Sequence, residues 1–497
     1  MNRNNYVGHI VLALTIIMLA GLAGQIRRWH KDADKSLLVV RQSTKQRACQ
    51  LRGGVGRGGS NFEGETDVIV RFRPGTTAEA MTRIAARFND RVEDRFEYIN
   101  DYAAINDNDG LDAETIAAEY RSLPEVADAE PNITISLDPP LRRYIGRFTE
   151  EDASNEMRSR IEGEGNFNYV GASEPNDPMF SDQWSLANTG QRDGRKGADI
   201  GALEAWEKTK GSRDVVVAVL DSGVDYTHPD LAGNMWKRPD AIAAYADKEL
   251  GAINDMHGYN AVDNSGDPMD DNGHGTHCAG IVGAEGDNGQ GIAGVNWNVQ
   301  IMPLKFMSKG GFGTTKAAIE AINYVIDRKR AGVGVRIISA SWGSTVKSRA
   351  LETAIKRAGE EGILFVAAAG NASANADRSP HYPASYRLPN VLSVAALNRN
   401  DELAGFSNYG AKTVHVAAPG AEILSTWLGA DYLEASGTSM ATPEVSGIAA
   451  LVLATDENLT VEELRERLMN SVDKLDSLQG RTVSGGRINA RRAVTGE

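Results

Sequence analysis

From about residue 176 to the C-terminus, short unbroken apolar runs alternate with longer amphipathic stretches. The runs are DVVVAVL (214–220), VQIMPLKF (299–306), VRIISAS (335–341), GILFVAAA (362–369) and VLSVAAL (391–397). Hydrophobicity that is continuous along a strand is what a sheet covered on both faces requires. Helical spacing falls between the runs, at 314–329 and 349–360. The pattern predicts an α/β fold with a doubly wound parallel sheet, whose ligands sit at the carboxyl ends of the strands.

Residues 66–137 predict a second, smaller unit. DVIVRF (67–72) alternates like a strand and stops at Pro74-Gly75, and Met81, Ile84, Ala85 and Phe88 recur at helical spacing. Residues 91–105 read as one or two strands around Asn100-Asp101, 113–123 as a second helix, and ITISL (133–137) as the closing strand. The order β-α-β-β-α-β is ferredoxin-like, an α+β arrangement. The unit carries no His or Cys, so on its own it reads as regulatory.

The rest of the chain connects these parts. Residues 138–175 are polar and irregular, open with Pro139-Pro140, and read as a linker where proteolysis can occur. Residues 25–65 form another linker, basic at first and glycine-rich over LRGGVGRGGSNFEGE. Residues 7–24 are a nearly unbroken apolar run within a first segment 1–24. It reads as a signal peptide with small residues around Gly21–Gly24, or as an uncleaved anchor followed by Arg27, Arg28 and Lys31.

Composition narrows the function. The chain has 497 residues, 53 basic against 67 acidic side chains, and a net charge of −14. That balance argues against nucleic acid, which needs a concentrated positive field. The two cysteines, Cys49 and Cys278, make neither a disulfide framework nor a CxxC metal site.

Three segments place a reactive group where a strand or loop meets a helix. Asp221 follows a buried run in VVVAVLDSGVDYTHPDL (215–231), His274 opens HGTHCAG, and Ser439 lies in ASGTSMATPEVSGIAALVLA (435–454). Taken singly, each has an ordinary structural explanation: a loop acid, a small-residue helix start, a helix N-cap. Taken together they supply a hydroxyl, a base to remove its proton, and a carboxylate to orient that base. His274 and His277 also stand at a spacing that zinc sites use, without the glutamate of the metalloprotease motif or an evident third ligand.

With these segments in view, the chain resembles the subtilisin-like serine proteases, and within them the thermitase-like branch. The resemblance covers most of 176–494. It includes NDPMFSDQW (176–184), SWG (341–343), AAAGN (367–371), YPA (382–384), FSNYG (406–410), VAAPG (416–420) and GGRINARRAV (485–494). It implies a serine endopeptidase in which Ser439 is the nucleophile, His274 the base and Asp221 its partner, with Asn371 and the Ser439 amide stabilising the oxyanion. The peptide would lie between Ser341, Trp342 and Gly343 on one side and Gly311, Phe312 and Gly313 on the other, by strand addition.

The resemblance also implies a structural calcium ion, held by side chains of Asp177, Asp230 and Asn288 and by the backbone at Glu285, Gln290 and Ile292. It implies that 66–137 is a propeptide that assists folding and inhibits the enzyme until cleavage within 138–175, and that the product is secreted and monomeric. His381 falls near the base of the primary specificity pocket, where it is either a polar floor or a solvated loop residue. Glu444 takes a place where the family commonly has His or an apolar residue, and is expected on the helix surface or just behind the site. Cys278 is expected to be buried and free. An inactive, peptide-binding relative is the alternative function.

Overall fold

The computed structural model describes residues 67–137, the backbone of 141–146, and 174–497 apart from 248 and 250. The apolar run 7–24 and most of the predicted linkers lie outside the described residues. Among those described, no helix is long and apolar enough to cross a membrane.

The chain divides into two compact units: residues through Glu93 with Ala103–Pro131, and Asp94–Tyr102 with Asn132–Glu497. The first is built on β1 (Val68–Phe72), α1 (Ala78–Ala86), β2 (Asp90–Arg95, which crosses the unit boundary), β3 (Tyr102–Asp107), α2 (Ala113–Arg121) and β4 (Val126–Pro131). Its sheet order is β2-β3-β1-β4, with β1 antiparallel to β4. Val68, Val70 and Phe72 pack with Met81, Ile84, Ile116 and Tyr120 of the two helices. Thr77 and Asp112 cap the helices by accepting hydrogen bonds from the backbone of Ala80 and Thr115.

The ferredoxin-like order holds, but the closing strand differs from the one expected. Val126–Pro131 completes the sheet, and the more apolar-looking ITISL does not. Residues 134–136 instead pair with a glycine-rich strand of the second unit.

The second unit opens with that strand, β5 (Thr134–Ser136), then β6 (Leu141–Gly146), α3 (Ala202–Trp206) and β7 (Gly211–Asp221). Next come β8 (Tyr245–Asp247), β9 (Gly251–Ile253), β10 (Tyr259–Asn260), α4 (His274–Gly283), β11 (Asn298–Lys305), β12 (Phe312–Thr314) and α5 (Thr315–Arg330). They are followed by β13 (Val335–Ala340), α6 (Arg349–Glu360), β14 (Leu364–Ala368), β15 (Val391–Leu397), β16 (Val416–Pro419), β17 (Ile423–Trp427) and β18 (Asp431–Ser436). The unit ends with α7 (Thr438–Thr455), α8 (Val461–Asn470), β19 (Val472–Lys474), β20 (Gly486–Ile488) and α9 (Ala490–Thr495).

Nine strands form the main sheet in the order β10-β11-β7-β13-β14-β15-β16-β20-β19. All its pairings are parallel except the terminal β19–β20 pair. All five predicted strands are present, and β7 lies inside the sheet with its last seven residues buried. The segment 138–175 is expected to be irregular, but among its described residues β6 pairs antiparallel with β18. β18 otherwise presents unpaired backbone groups on that edge, and a neighbouring segment satisfies them.

Helix α7 is apolar on every side, and its residues from Thr438 to Leu453 are buried. Glu444 is therefore not on the helix surface: it is 1% exposed. Burial drives its carboxyl up to about 8, while Ser185 pulls weakly the other way. The folded pKa lies above the unfolded value of 4.5, so the neutral acid is the form the fold prefers. Its stabilising contribution is complete below that value and is lost as pH rises toward 8. We expect Glu444→Gln, compared with its parent by urea unfolding, to remove a pH-dependent loss on the order of 3–5 kcal/mol between pH 4.5 and 8.5. An identical pH profile for both proteins would refute this.

Candidate active site

The C-terminal end of β7 delivers Asp221, fully buried, beside the first turn of α4. His274 opens that helix, and its Nδ1 is 2.7 Å from Asp221 Oδ1. The glycine after it has a steric reason. A Cβ on Gly275 would stand 2.0 Å from the Gly223 carbonyl oxygen and 3.1 Å from the Asp221 Cβ. Only glycine lets the helix press this closely on the strand end.

Burial alone would pull the His274 imidazole down. The Asp221 charge and hydrogen bond, with Cys278 beside the ring, carry it well above its usual value. Cys278 is buried and free, as expected, with Sγ 4.0 Å from His274 Nδ1 and 3.6 Å from the Ser439 carbonyl oxygen. The sulfur thus lies between the imidazole and the serine backbone.

Ser439 is the second residue of α7 and is 7% exposed. Its hydroxyl donates to the Ser341 carbonyl at 2.9 Å. It makes no hydrogen bond to the imidazole here, a bond that free enzymes often leave long and tighten only with substrate in place. Pro443 is the sixth helical residue and does not lie in the first turn. Its missing N–H would have bonded the Ser439 carbonyl, so that oxygen accepts from Ser341 Oγ instead, at 2.8 Å.

Asn371 follows Gly370, whose φ of 100° needs glycine. Its Oδ1 accepts from the Thr438 amide at 2.8 Å and from Thr438 Oγ1 at 3.0 Å, which fixes the side chain and turns Nδ2 the other way. A Cβ built on Gly437 would lie 3.4 Å from Asn371 Nδ2 and 3.5 Å from the Ser439 backbone nitrogen. Two donor nitrogens therefore lie close to one small space beside the serine, a placement suited to an oxyanion.

The two proposed peptide-binding edges are joined by the chain itself. β5 pairs antiparallel with β12, matching Ser136 to Phe312, Ile135 to Gly313 and Thr134 to Thr314. The Leu137 amide donates to the Gly311 carbonyl at 2.9 Å, and Ser136 bridges to Gly343. Trp342 contributes only backbone here, because its ring is buried and its Nε1 donates to the Leu220 carbonyl. His381 lies against Gly343 and Gly370. Its Nε2 would be 2.1 Å from a Cβ on Gly343, and its ring 3.0 Å from one on Gly370.

The six residues expected at a cation site converge as well. Asp230 accepts from the Ile292 amide, Tyr432 Oη and Asn288 Nδ2, and the Glu285 amide donates to the Asp230 carbonyl. Asp177 accepts from the Asp287 and Asn288 amides, and the Gln290 amide donates to Asn288 Oδ1. Both aspartates are fully buried. Burial raises Asp177 to about 6 and Asp230 to about 7, with Asp177 adding to the rise in Asp230. Two buried acids that oppose each other's ionisation fit a divalent cation.

The zinc alternative is not supported by the geometry. His277 bonds the Leu433 carbonyl at 2.8 Å while His274 bonds Asp221, so the two imidazoles are held by different partners.

Two positioning residues escaped the sequence reading. Asp270 is buried and accepts from the Asn272, Gly273 and Thr276 amides, Thr276 Oγ1 and Ser222 Oγ, tying the start of α4 to the residue after Asp221. The available signal was an aspartate just ahead of a helix start in MDDNGHG. Asn408 accepts from the Ala372 and Ala374 amides and donates to the Ala369 carbonyl, clamping the loop that carries Asn371.

Comparison with known proteins agrees with this arrangement. The subtilase family model, peptidase S8, matches residues 212–486. A thermophilic serine proteinase of Bacillus sp. (strain AK1) is 38% identical over 372 residues, covering 75% of this chain and 84% of its own. Thermitase of Thermoactinomyces vulgaris is 37% identical over 320 residues, covering 64% of this chain and 99% of its own. Among solved structures, a protease from Pseudoalteromonas arctica PAMC 21717 superposes with a TM-score of 0.54 at 29% identity, over 65% of this chain and 99% of that one. The chain belongs to the subtilase family of serine endopeptidases and, within it, is thermitase-like.

Proposed function

We propose that Asp221, His274, Ser439 and Asn371 are the catalytic residues and that they hydrolyse peptide bonds through an acyl-enzyme. The carrying observation is the 2.7 Å bond between Asp221 and His274 at the start of α4, the helix whose Cys278 contacts the Ser439 carbonyl. His274 in its neutral form takes the Ser439 proton, the serine oxygen attacks the carbonyl, and the imidazolium returns the proton to the leaving amine. Water then repeats the sequence on the ester. The developing oxyanion is met by Asn371 Nδ2 and the Ser439 amide.

We further propose that the substrate is held as residues 134–137 are held, by main-chain pairing to Gly311–Gly313 and Gly343, which favours broad sequence tolerance. In this reading the N-terminal unit is a propeptide whose tail occupies the cleft, and cleavage within 138–175 releases a secreted, monomeric enzyme. Retention by residues 7–24 with the catalytic unit outside is the alternative location. The cluster of Asp177, Asp230 and Asn288 would hold calcium, which when bound supplies a cross-link between the 176–178 segment and the 285–292 loop.

One observation favours an inactive, peptide-binding relative: the Ser439 hydroxyl bonds Ser341 and not the imidazole. An active-site-directed organophosphorus probe separates the readings. Labelling of the matured protein at Ser439 is expected, and its absence would favour the binder.

A further inference from the structure

Away from the catalytic centre, the second unit buries a group of acids that no step of the mechanism uses. Asp94 of β2 is 5% exposed and Asp247, at the end of β8, 4%. Together with Glu249 in the turn between β8 and β9, each offers a carboxylate oxygen within 4.8 Å of the other two. All three belong to the same unit. No N–H or hydroxyl of a described residue donates to either oxygen of Asp94. A buried, ionised carboxylate without a donor costs several kcal/mol, so such groups are paired, protonated or bound to metal.

The surroundings deepen the deficit. Glu320 of α5 is buried, and its carboxyl group is in side-chain contact with that of Asp94. Glu97 contributes to the same field. Arg95 bonds Glu249 at 2.7 Å and Lys316 approaches Glu320 at 3.5 Å, which offsets two acids of the group. Among the described residues, no cation does the same for Asp94. The buried Tyr245 hydroxyl nearby is also without a hydrogen-bond partner among the described residues.

We propose that Asp94, Asp247 and Glu249 form a calcium site distinct from the one at Asp177 and Asp230. Calcium binds oxygen at about 2.3–2.6 Å, so two ligands across the ion stand up to about 5 Å apart. These three donors lie within 4.8 Å of one another, inside that span. The donors are all carboxylate oxygens, which suits a hard cation, and the exposed side of Glu249 leaves room for water to complete six to eight positions. The ion would fasten the 94–97 segment to the β8–β9 hairpin, so calcium would tighten the uncut precursor at this point.

The test uses the full-length chain with Ser439→Ala, so that it remains uncut. Calcium titration after chelation, followed by calorimetry, is compared with Asp94→Asn and with Glu249→Gln, which sits on the more exposed turn and carries little folding risk. Terbium is a second probe, with Tyr245, two residues before Asp247 on the same strand, as the sensitiser. Either substitution is expected to remove one calcium equivalent or weaken it at least 10-fold and to quench terbium emission, while Asp230→Asn leaves this site intact. An unchanged stoichiometry in both variants would overturn the proposal. So would a calcium response that Asp230→Asn abolishes entirely. A third refuting result is Asp94→Asn stabilising the calcium-free protein with calcium binding unaltered, because that outcome assigns Asp94 and Glu320 to a shared proton.

Discussion

Ser439→Ala is expected to lower kcat about 10⁶-fold, and adding His274→Ala to it to cost almost nothing more. The size is the one measured for subtilisin itself, where removing nucleophile or base alone costs about as much as removing the whole triad. The reason is that the two side chains do one job. Without the hydroxyl there is nothing for the imidazole to deprotonate, and without the imidazole the hydroxyl keeps its proton. What survives is catalysis by the anion pocket and by binding, about 10³–10⁴ over water. In this protein that remainder is assigned to Asn371, held by Thr438 at 2.8 Å, and to the Ser439 amide. Single-turnover and steady-state kinetics on a chromogenic tetrapeptide would measure it. A double variant far below either single one would mean the groups act separately, against the proposed mechanism.

Asp221→Asn is expected to cost about 10⁴-fold in kcat and to move the acid limb of kcat/KM to lower pH. The direction follows from what holds the imidazole up. Burial depresses His274, and the Asp221 carboxylate, together with Cys278 beside the ring, more than reverses it. A base works only when neutral, so in the parent activity rises with pH through a value above the ordinary 6.5 of histidine. Removing the charge leaves burial in command, and the limb falls. The rate falls with it, because the imidazolium formed during attack loses its partner and the ring its fixed tautomer. A limb that stayed in place while kcat dropped would show that Asp221 orients the ring without setting its charge.

Much of this was legible in the chain. Unbroken apolar runs at 214–220 and 391–397 become strands of the main sheet because a doubly covered strand has no polar face to show. The segments that carry Asp221, His274 and Ser439 stood out because acyl-transfer chemistry needs particular residue types beside tight glycines. What escaped reading was decided by partners far away in sequence. ITISL has a strand's pattern, but which edge it joins depends on β12, some 180 residues on. Leu141–Gly146 becomes a strand only because β18 has an open edge. Glu444 could be placed only on the helix surface or just behind the site, because helical position alone does not reveal what covers it. Asp270 and Asn408 do their work through backbone amides, which no pattern of side chains announces.

The gap that Pro443 leaves in the ladder of α7 has a mechanical outcome. The carbonyl of Ser439 is referenced to Ser341, just past the end of β13, and not to the next turn of its own helix. Bending or fraying farther along α7 therefore need not displace the reacting oxygen. It moves with the sheet, and the sheet also carries Asp221.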